Sequence, residues 1–222
     1  VADRGGGIDA EGGDIVTLPA CTDLVLSLQH EHVYTLGRGA AVSDLLFDPA
    51  CTSAPAAVHR TERGGKITYH GPGQLVVYPI LHLAHFRKDL HWYVSSIEQV
   101  VIDSLAEYGI EAHRSKGNPG VWVGDEKVAQ IGINCSKWVT QHGFAINVCP
   151  EMSYFRNIIP CGIADKGVTS VSQLLGRRVS VLDVERHVQT HFSRIFGAQL
   201  TPRDGQPLLR VTDAAQAVQR LV

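Results

Sequence analysis

Between Asp89 and Gly109 the apolar residues Leu90, Val94, Ile97, Val101 and Leu105 recur at spacings of three and four, the period of one face of a helix. Asp89 can accept from the first turn and Gly109 falls where a left-handed terminal residue belongs, so the segment predicts one well-bounded amphipathic helix. The chain after it changes period. Gly120-Val-Trp-Val123, Lys127-Val-Ala-Gln-Ile-Gly-Ile133 and Phe144-Ala-Ile-Asn-Val148 are short strand-like runs, and the Gly124-Asp125-Glu126 turn predicts a hairpin that puts Lys127 at a strand start. Upstream, residues 23–29 and 74–81 read as strands, the second interrupted near its end by Pro79, and residues 39–57 read as an Ala/Ser/Pro-rich connection. A second helix is predicted from Ser180 through Val181, Val184, Val188, Phe192 and Ile195 to Gly197. One helix within a run of hairpin-connected strands and another near the end give an α+β class, a mixed, largely antiparallel sheet flanked by helices. The expected division is a poorly patterned stretch at 1–22, a catalytic domain at 23–197, and a tail or small appendage at 198–222.

Composition narrows the partners. The net charge is −2 and no Lys/Arg run exceeds two residues, which argues against a nucleic-acid backbone or an anionic membrane as ligand. No apolar stretch approaches the roughly 20 residues that span a bilayer, so a soluble protein is expected. Five cysteines, an odd and scattered set, point to free thiols in a reducing compartment. The histidines form only His30-x-His32 and His82-x-x-His85, without matching cysteine or carboxylate spacing, so no structural zinc site is expected; no metal and no cofactor enter the reading of this chain.

Chemistry concentrates in a few places. Cys161 sits between Pro160 and Gly162 in a loop-like context where a thiol can face a cleft, and a nucleophilic thiol needs a nearby cation or base to become a thiolate. Lys127 is a candidate for that neighbour. The segment from Arg63 to Gln74 has four glycines in twelve residues, with Arg63, Lys66 and His70 as polar heads; it reads either as a binding loop or as an ordinary glycine-rich turn. Gly37-Arg38-Gly39 reads as a structural turn. His142 reads either as a satisfied interior histidine or, beside Gly143 at a strand start, as a site wall.

Taken together, His32-Val-Tyr-Thr-Leu-Gly37, Arg63-Gly-Gly-Lys-Ile-Thr-Tyr-His-Gly-Pro-Gly-Gln-Leu75, Gly120-Val-Trp122, Lys127-Val-Ala-Gln-Ile-Gly132, His142-Gly-Phe-Ala-Ile-Asn147, and Pro160-Cys-Gly-Ile-Ala-Asp165 with Val168-Thr-Ser170 resemble the lipoyl(octanoyl) transferase family. Asp89-Leu-His-Trp-Tyr93 looks most like its cyanobacterial and plant-plastid branch. The resemblance implies the fold of the biotin and lipoate protein ligase catalytic domains. It implies that Cys161 carries the acyl group as a thioester and that Lys127 lowers its pKa and moves protons. It further implies a substrate site lined by Arg63, Gly64, Gly65, Lys66, Ile67, Thr68, Tyr69 and His70, by Gln130, Ile131 and Gly132, and by Gly143, Phe144 and Ala145, with Gly71, Gly73 and His142 as a further wall.

The reaction implied is transfer of an octanoyl group from octanoyl-acyl carrier protein to a lysine of lipoyl domains in lipoate biosynthesis. The acceptors would be 2-oxoacid dehydrogenase complexes and the glycine cleavage H protein. The compartment would be bacterial cytoplasm, or plastid stroma or mitochondrial matrix in a eukaryote. The alternatives are an ATP-dependent lipoate or biotin ligase on the same fold and a non-catalytic binder of acyl groups or carrier protein. Two departures stand out: Asn134 occupies a position that is usually basic in this family, and a strand and helix usually precede the position of Asp23, where this chain is Gly-rich.

Overall fold

In the computed structural model, residues 23–159 and 167–201 are described. A seven-stranded sheet forms the body, in the order β1-β5-β9-β8-β7-β6, where β1 is Leu24–Leu28, β5 is Gln74–Ile80, β6 is His113–Ser115, β7 is Asn118–Val123, β8 is Glu126–Ser136 and β9 is Val139–Asn147. A short strand, β10 (Gly167–Val168), adds to β8 in parallel, and the remaining pairings of this sheet are antiparallel. A second sheet of three strands has β2 (Val33–Leu36) between parallel β3 (Ala57–Arg60) and antiparallel β4 (Ile67–His70). The α+β reading and the mixed, largely antiparallel sheet are therefore what the chain adopts.

One face of the large sheet is covered by α1 (Leu90–Ala106) and α3 (Val181–Phe196), with the short α2 (Val171–Leu175) preceding α3 in the chain. The apolar stripe of α1 supplies Ile97, Val101 and Leu105, α3 supplies Val184, Val188 and Phe192, and these meet Leu75, Val77, Phe144 and Ile146 of the sheet. Each such side chain contributes about 1.5–3 kcal/mol by leaving water. The Asp89 carboxylate accepts from Trp92 N at 3.0 Å, and Gly197 takes the left-handed conformation that ends α3. Both predicted helices thus lie where their stripes and caps placed them. Among the described residues, no helix is long and apolar enough to cross a membrane.

Two expectations are corrected. Pro79 does not interrupt its strand: the β5–β9 ladder ends at the Val77–Phe144 pair, so β9 requires no N–H from Pro79, and β5 continues against β1 to Ile80. The Arg63–Gln74 segment is not one loop. Residues 63–66 form a loop, Ile67–His70 is β4, and Gly71–Pro72–Gly73 turns the chain into β5. Ile67 and Tyr69 fill the core of the small sheet with Tyr34, Leu36, Phe155 and Ile158. Residues 39–56 are connection as expected, apart from one 3₁₀ turn at Val42–Asp44, and the expected connection ends one residue earlier, at the start of β3.

Gly73 shows why glycine stands in that turn. Its φ is +89°, and a β-carbon on it would lie 2.4 Å from the Cys149 carbonyl oxygen, an approach held by the Cys149 N–H donating to Gly73 O at 2.9 Å. Gly73→Ala is expected to cost about 2–3 kcal/mol through backbone strain and displacement. Calorimetry should show the unfolding midpoint lowered by roughly 5–10 °C; a midpoint unchanged in Gly73→Ala would mean that the turn tolerates a side chain.

Candidate active site

A one-residue irregularity in β8 builds the site. Trp122 pairs with Lys127 and Val121 with Ala129, so Val128 is an extra residue on β8, a β-bulge. Strict alternation would send Lys127 and Gln130 to opposite faces. With the bulge, Lys127 stands opposite Trp122 and Gln130 opposite Gly120, two residues apart on β7, so both point to the face away from the helices. Val128 and Ala129 both pack toward the helical core.

Lys127 is buried, at 5% exposure, and its Nζ donates to the Pro119 carbonyl at 3.1 Å and lies 4.7 Å from the Trp122 ring centroid. Its stem crosses Gly120: a β-carbon there would sit 3.2 Å from Lys127 Cε and 2.6 Å from the Ala129 carbonyl oxygen, so only glycine leaves this lane open. The buried Glu98 of α1 fixes that spot from behind, accepting from Gly120 N at 3.1 Å while pairing with Arg114 at 3.1 Å.

The strand on the other side of Lys127 is β10. Val168 is in register with Lys127, and Thr169 N donates to Lys127 O at 3.0 Å. Cys161 lies outside the described residues. The flanks of its segment are tied down, because Ile159 N donates to Asp44 O at 2.9 Å and Gly167 pairs with Glu126.

The remaining floor of this face follows from register. Gln130 neighbours Ala145, which packs with Val76 and Leu28 as a small apolar patch flanked by Tyr78. Beyond it Gly132 pairs with Gly143; a β-carbon on Gly143 would be 2.2 Å from Val77 O, and one on Gly132 would be 3.0 Å from Arg63 Cδ. Alanine at 145 and glycine at 132 and 143 keep side-chain bulk off this part of the face. The Gln130 amide is buried there, and neither its oxygen nor its nitrogen has a hydrogen-bond partner among the described residues.

Arg63 closes one end. Its guanidinium donates to Thr35 O at 2.7 Å, to Thr35 Oγ1 at 2.8 Å and to Gly64 O at 3.1 Å, while Gly64 N donates to Ile133 O at 2.8 Å, which stitches the 63–66 loop to both sheets. Around it stand His30, His70 and His142. Burial pushes His70 down to about 3, with His30, Arg63 and His142 adding repulsion against the opposing hydrogen bond from Gln74; burial pushes His30 down to about 4, and lowers His142 as well. All three are neutral imidazoles at pH 7. His142 has a φ of +59° within β9 and meets Tyr78 edge-on at 6.3 Å.

The sequence-derived site residues divide by strand alternation. Lys127, Gln130, Gly132, Gly143 and Ala145 share one face, with Arg63 and His70 near it. Ile131 and Phe144 turn their side chains to the helical core, and Ile67 and Tyr69 to the small-sheet core, so only their backbones reach the cleft side. Lys66 and Gly65 are exposed. Gly71 lies under the Tyr69 hydroxyl, which is 1.9 Å from where a β-carbon would stand, and Gly73 lies under Cys149, so each is accounted for by packing within the fold. Sequence reading gave no site role to Trp122, Thr35, Glu98, His30 or Tyr78, although Trp122 and Thr35 lie inside the motifs that carry the family resemblance and His30 inside His30-x-His32.

The family model for the lipoyl protein ligase A/B catalytic domain matches residues 17–193. The chain belongs to that family. Its curated relatives include an octanoyltransferase of Gloeobacter violaceus, 49% identical over 81% of this chain and 78% of that protein, and a chloroplastic octanoyltransferase of Arabidopsis thaliana, 51% identical over 81% of this chain and 67% of that one. Among solved structures, a lipoate-protein ligase A bound with ATP shares the fold with a TM-score of 0.72 at 14% identity, covering 91% of this chain and 81% of that one. A bipartite lipoate protein ligase of Thermoplasma acidophilum does so with a TM-score of 0.69 at 16% identity, covering 91% and 80%. The expected ligase-type fold and the family resemblance both hold.

Proposed function

We propose that the chain is an octanoyltransferase of protein lipoylation, moving an octanoyl group from a carrier-protein thioester through Cys161 to a lysine amine of a lipoyl domain. The observation that carries this reading is the register of β10 on β8, which sets Lys127 beside the strand that the Cys161 segment enters. In the first half-reaction the Cys161 thiolate attacks the thioester carbonyl, the carbon–sulfur bond to the carrier arm breaks, and the departing thiolate takes a proton for which Lys127 is the proposed source. In the second, the acceptor lysine attacks the acyl-enzyme, Cys161 leaves as thiolate, and the amine proton returns to Lys127. The Leu28, Val76 and Ala145 patch suits an alkyl chain, each buried methylene of which contributes about 0.8 kcal/mol. The Gln130 amide, without a partner among the described residues, suits the thioester carbonyl or an amide of the carrier arm. Carrier protein and lipoyl domains are the proposed partners, in bacterial cytoplasm or plastid.

Incubation with octanoyl-acyl carrier protein, without ATP, is expected to add one octanoyl group to Cys161, readable by intact mass and peptide mapping. Addition of a lipoyl domain should then discharge it onto the domain's lysine. Product that forms only when ATP is supplied would make the chain a ligase instead, and a chain that stays unmodified while retaining the carrier protein would be a binder.

A further inference from the structure

A run of buried amides crosses the sheet from β4 to the residue after β10. His70 Nδ1 lies 2.7 Å from Gln74 Oε1; Gln74 Nε2 lies 2.9 Å from Asn147 Oδ1 and 3.3 Å from Tyr69 O; Asn147 Nδ2 lies 3.0 Å from Thr169 O. Gln74 and Asn147 are fully buried, paired in register between β5 and β9. The run has only one consistent polarity, because two of its members are main-chain carbonyls, which only accept. Asn147 must present its NH₂ to Thr169, which leaves Oδ1 toward Gln74. Gln74 must then spend its two N–H groups on Asn147 and Tyr69, which leaves Oε1 toward His70. His70 has to donate from Nδ1.

We propose that Gln74 and Asn147 are positioning residues that hold His70 as the Nδ1–H tautomer, making its Nε2 a standing hydrogen-bond acceptor for an N–H group of the bound ligand. The ring lies 5.5 Å from that of His30, and Arg63 and His142 complete its charged and titratable surroundings. Those neighbours and burial keep the ring neutral, so that Nε2 keeps its lone pair. The same run grips Thr169, whose N–H is bonded to Lys127 O, so one set of amides orients the histidine and secures the strand beside the lysine. The identity of the ligand rests on the acyl-transfer reading, under which amide N–H groups of the carrier arm and the acceptor amine have the required chemistry. The tautomer does not rest on it.

The test is nitrogen NMR of the histidine rings in the full chain, with His70 assigned by His70→Gln. Expected for the free protein is a protonated Nδ1 and an unprotonated Nε2 for His70, unchanged between about pH 5.5 and 8, a range across which an ordinary imidazole titrates. Adding S-octanoyl-pantetheine should move the Nε2 resonance and leave Nδ1 in place. Gln74→Glu, which cannot donate to Asn147 or Tyr69, should make His70 titrate within that range and lower kcat/KM for transfer roughly tenfold, the scale of one such hydrogen bond. A free protein with His70 in the Nε2–H form, or titrating near its ordinary value, would overturn the proposal even if Gln74→Glu does not fold. A correct tautomer in a chain that fails to transfer octanoyl would count against the acyl-transfer reading and leave the tautomer standing.

Discussion

Cys161→Ala is expected to remove octanoyl transfer entirely while shifting the unfolding midpoint by no more than about 2 °C, since the change deletes one sulfur. The comparison that gives this force is with the other thiols. Cys51 is exposed, and hydrogen bonding from Ser53 lowers its pKa, so it is the described thiol that simple alkylating agents should attack readily. It lies in the connection between β2 and β3, not on the strands that carry Lys127 and the patch of Leu28, Val76 and Ala145. Cys135, by contrast, is pushed up by burial. Cys51→Ser and Cys135→Ala should therefore retain most transfer, even though Cys51→Ser removes the most exposed thiol among the described residues. Transfer surviving in Cys161→Ala and vanishing in Cys51→Ser or Cys149→Ala would refute the assignment of the nucleophile.

Lys127→Arg is expected to lose about as much transfer as Lys127→Ala, roughly a hundredfold or more, the contribution of a positioned proton carrier. Arginine keeps the positive charge but does not release its proton in a protein. Its larger planar head must also fit the lane over Gly120 and against Trp122 that the lysine stem fills. The two causes separate by measuring the pH dependence of Cys161 alkylation. If charge placement survives in Lys127→Arg, the thiol should still ionise early while turnover is lost. Near wild-type turnover in Lys127→Arg would take Lys127 out of proton transfer and leave it an electrostatic neighbour alone.

What could be read from the chain depended on how local the cause was. Asp89, Gly197 and the Gly124-Asp125-Glu126 turn act within a few residues of themselves, and the helices and the β7–β8 hairpin stand where these signals put them. The small sheet was illegible for the opposite reason. Its strands have four residues each, β2 and β4 are separated by a long connection, and four glycines around Ile67–His70 outweighed the alternation of Ile-Thr-Tyr-His. Membership of the site was legible by motif but its facing was not. Listing Gln130, Ile131 and Gly132 together could not show that Ile131 belongs to the core, and the Gln74–Asn147 contact joins residues 73 positions apart. No composition rule signals a pairing at that distance.

The extra residue in β8 has a consequence for inheritance. Side chains can be exchanged one at a time and the loss repaired one at a time, but the parity of a strand is a count, and a count has no intermediate value. A descendant that kept Val128 but straightened the bulge into a regular ladder would retain Lys127, Gln130, Gly120 and Trp122 in unchanged identity and still bring the lysine and the glutamine to opposite sides of the sheet. With two residues standing between the lysine and the glutamine, the bulge is thus inherited as strictly as the residues themselves.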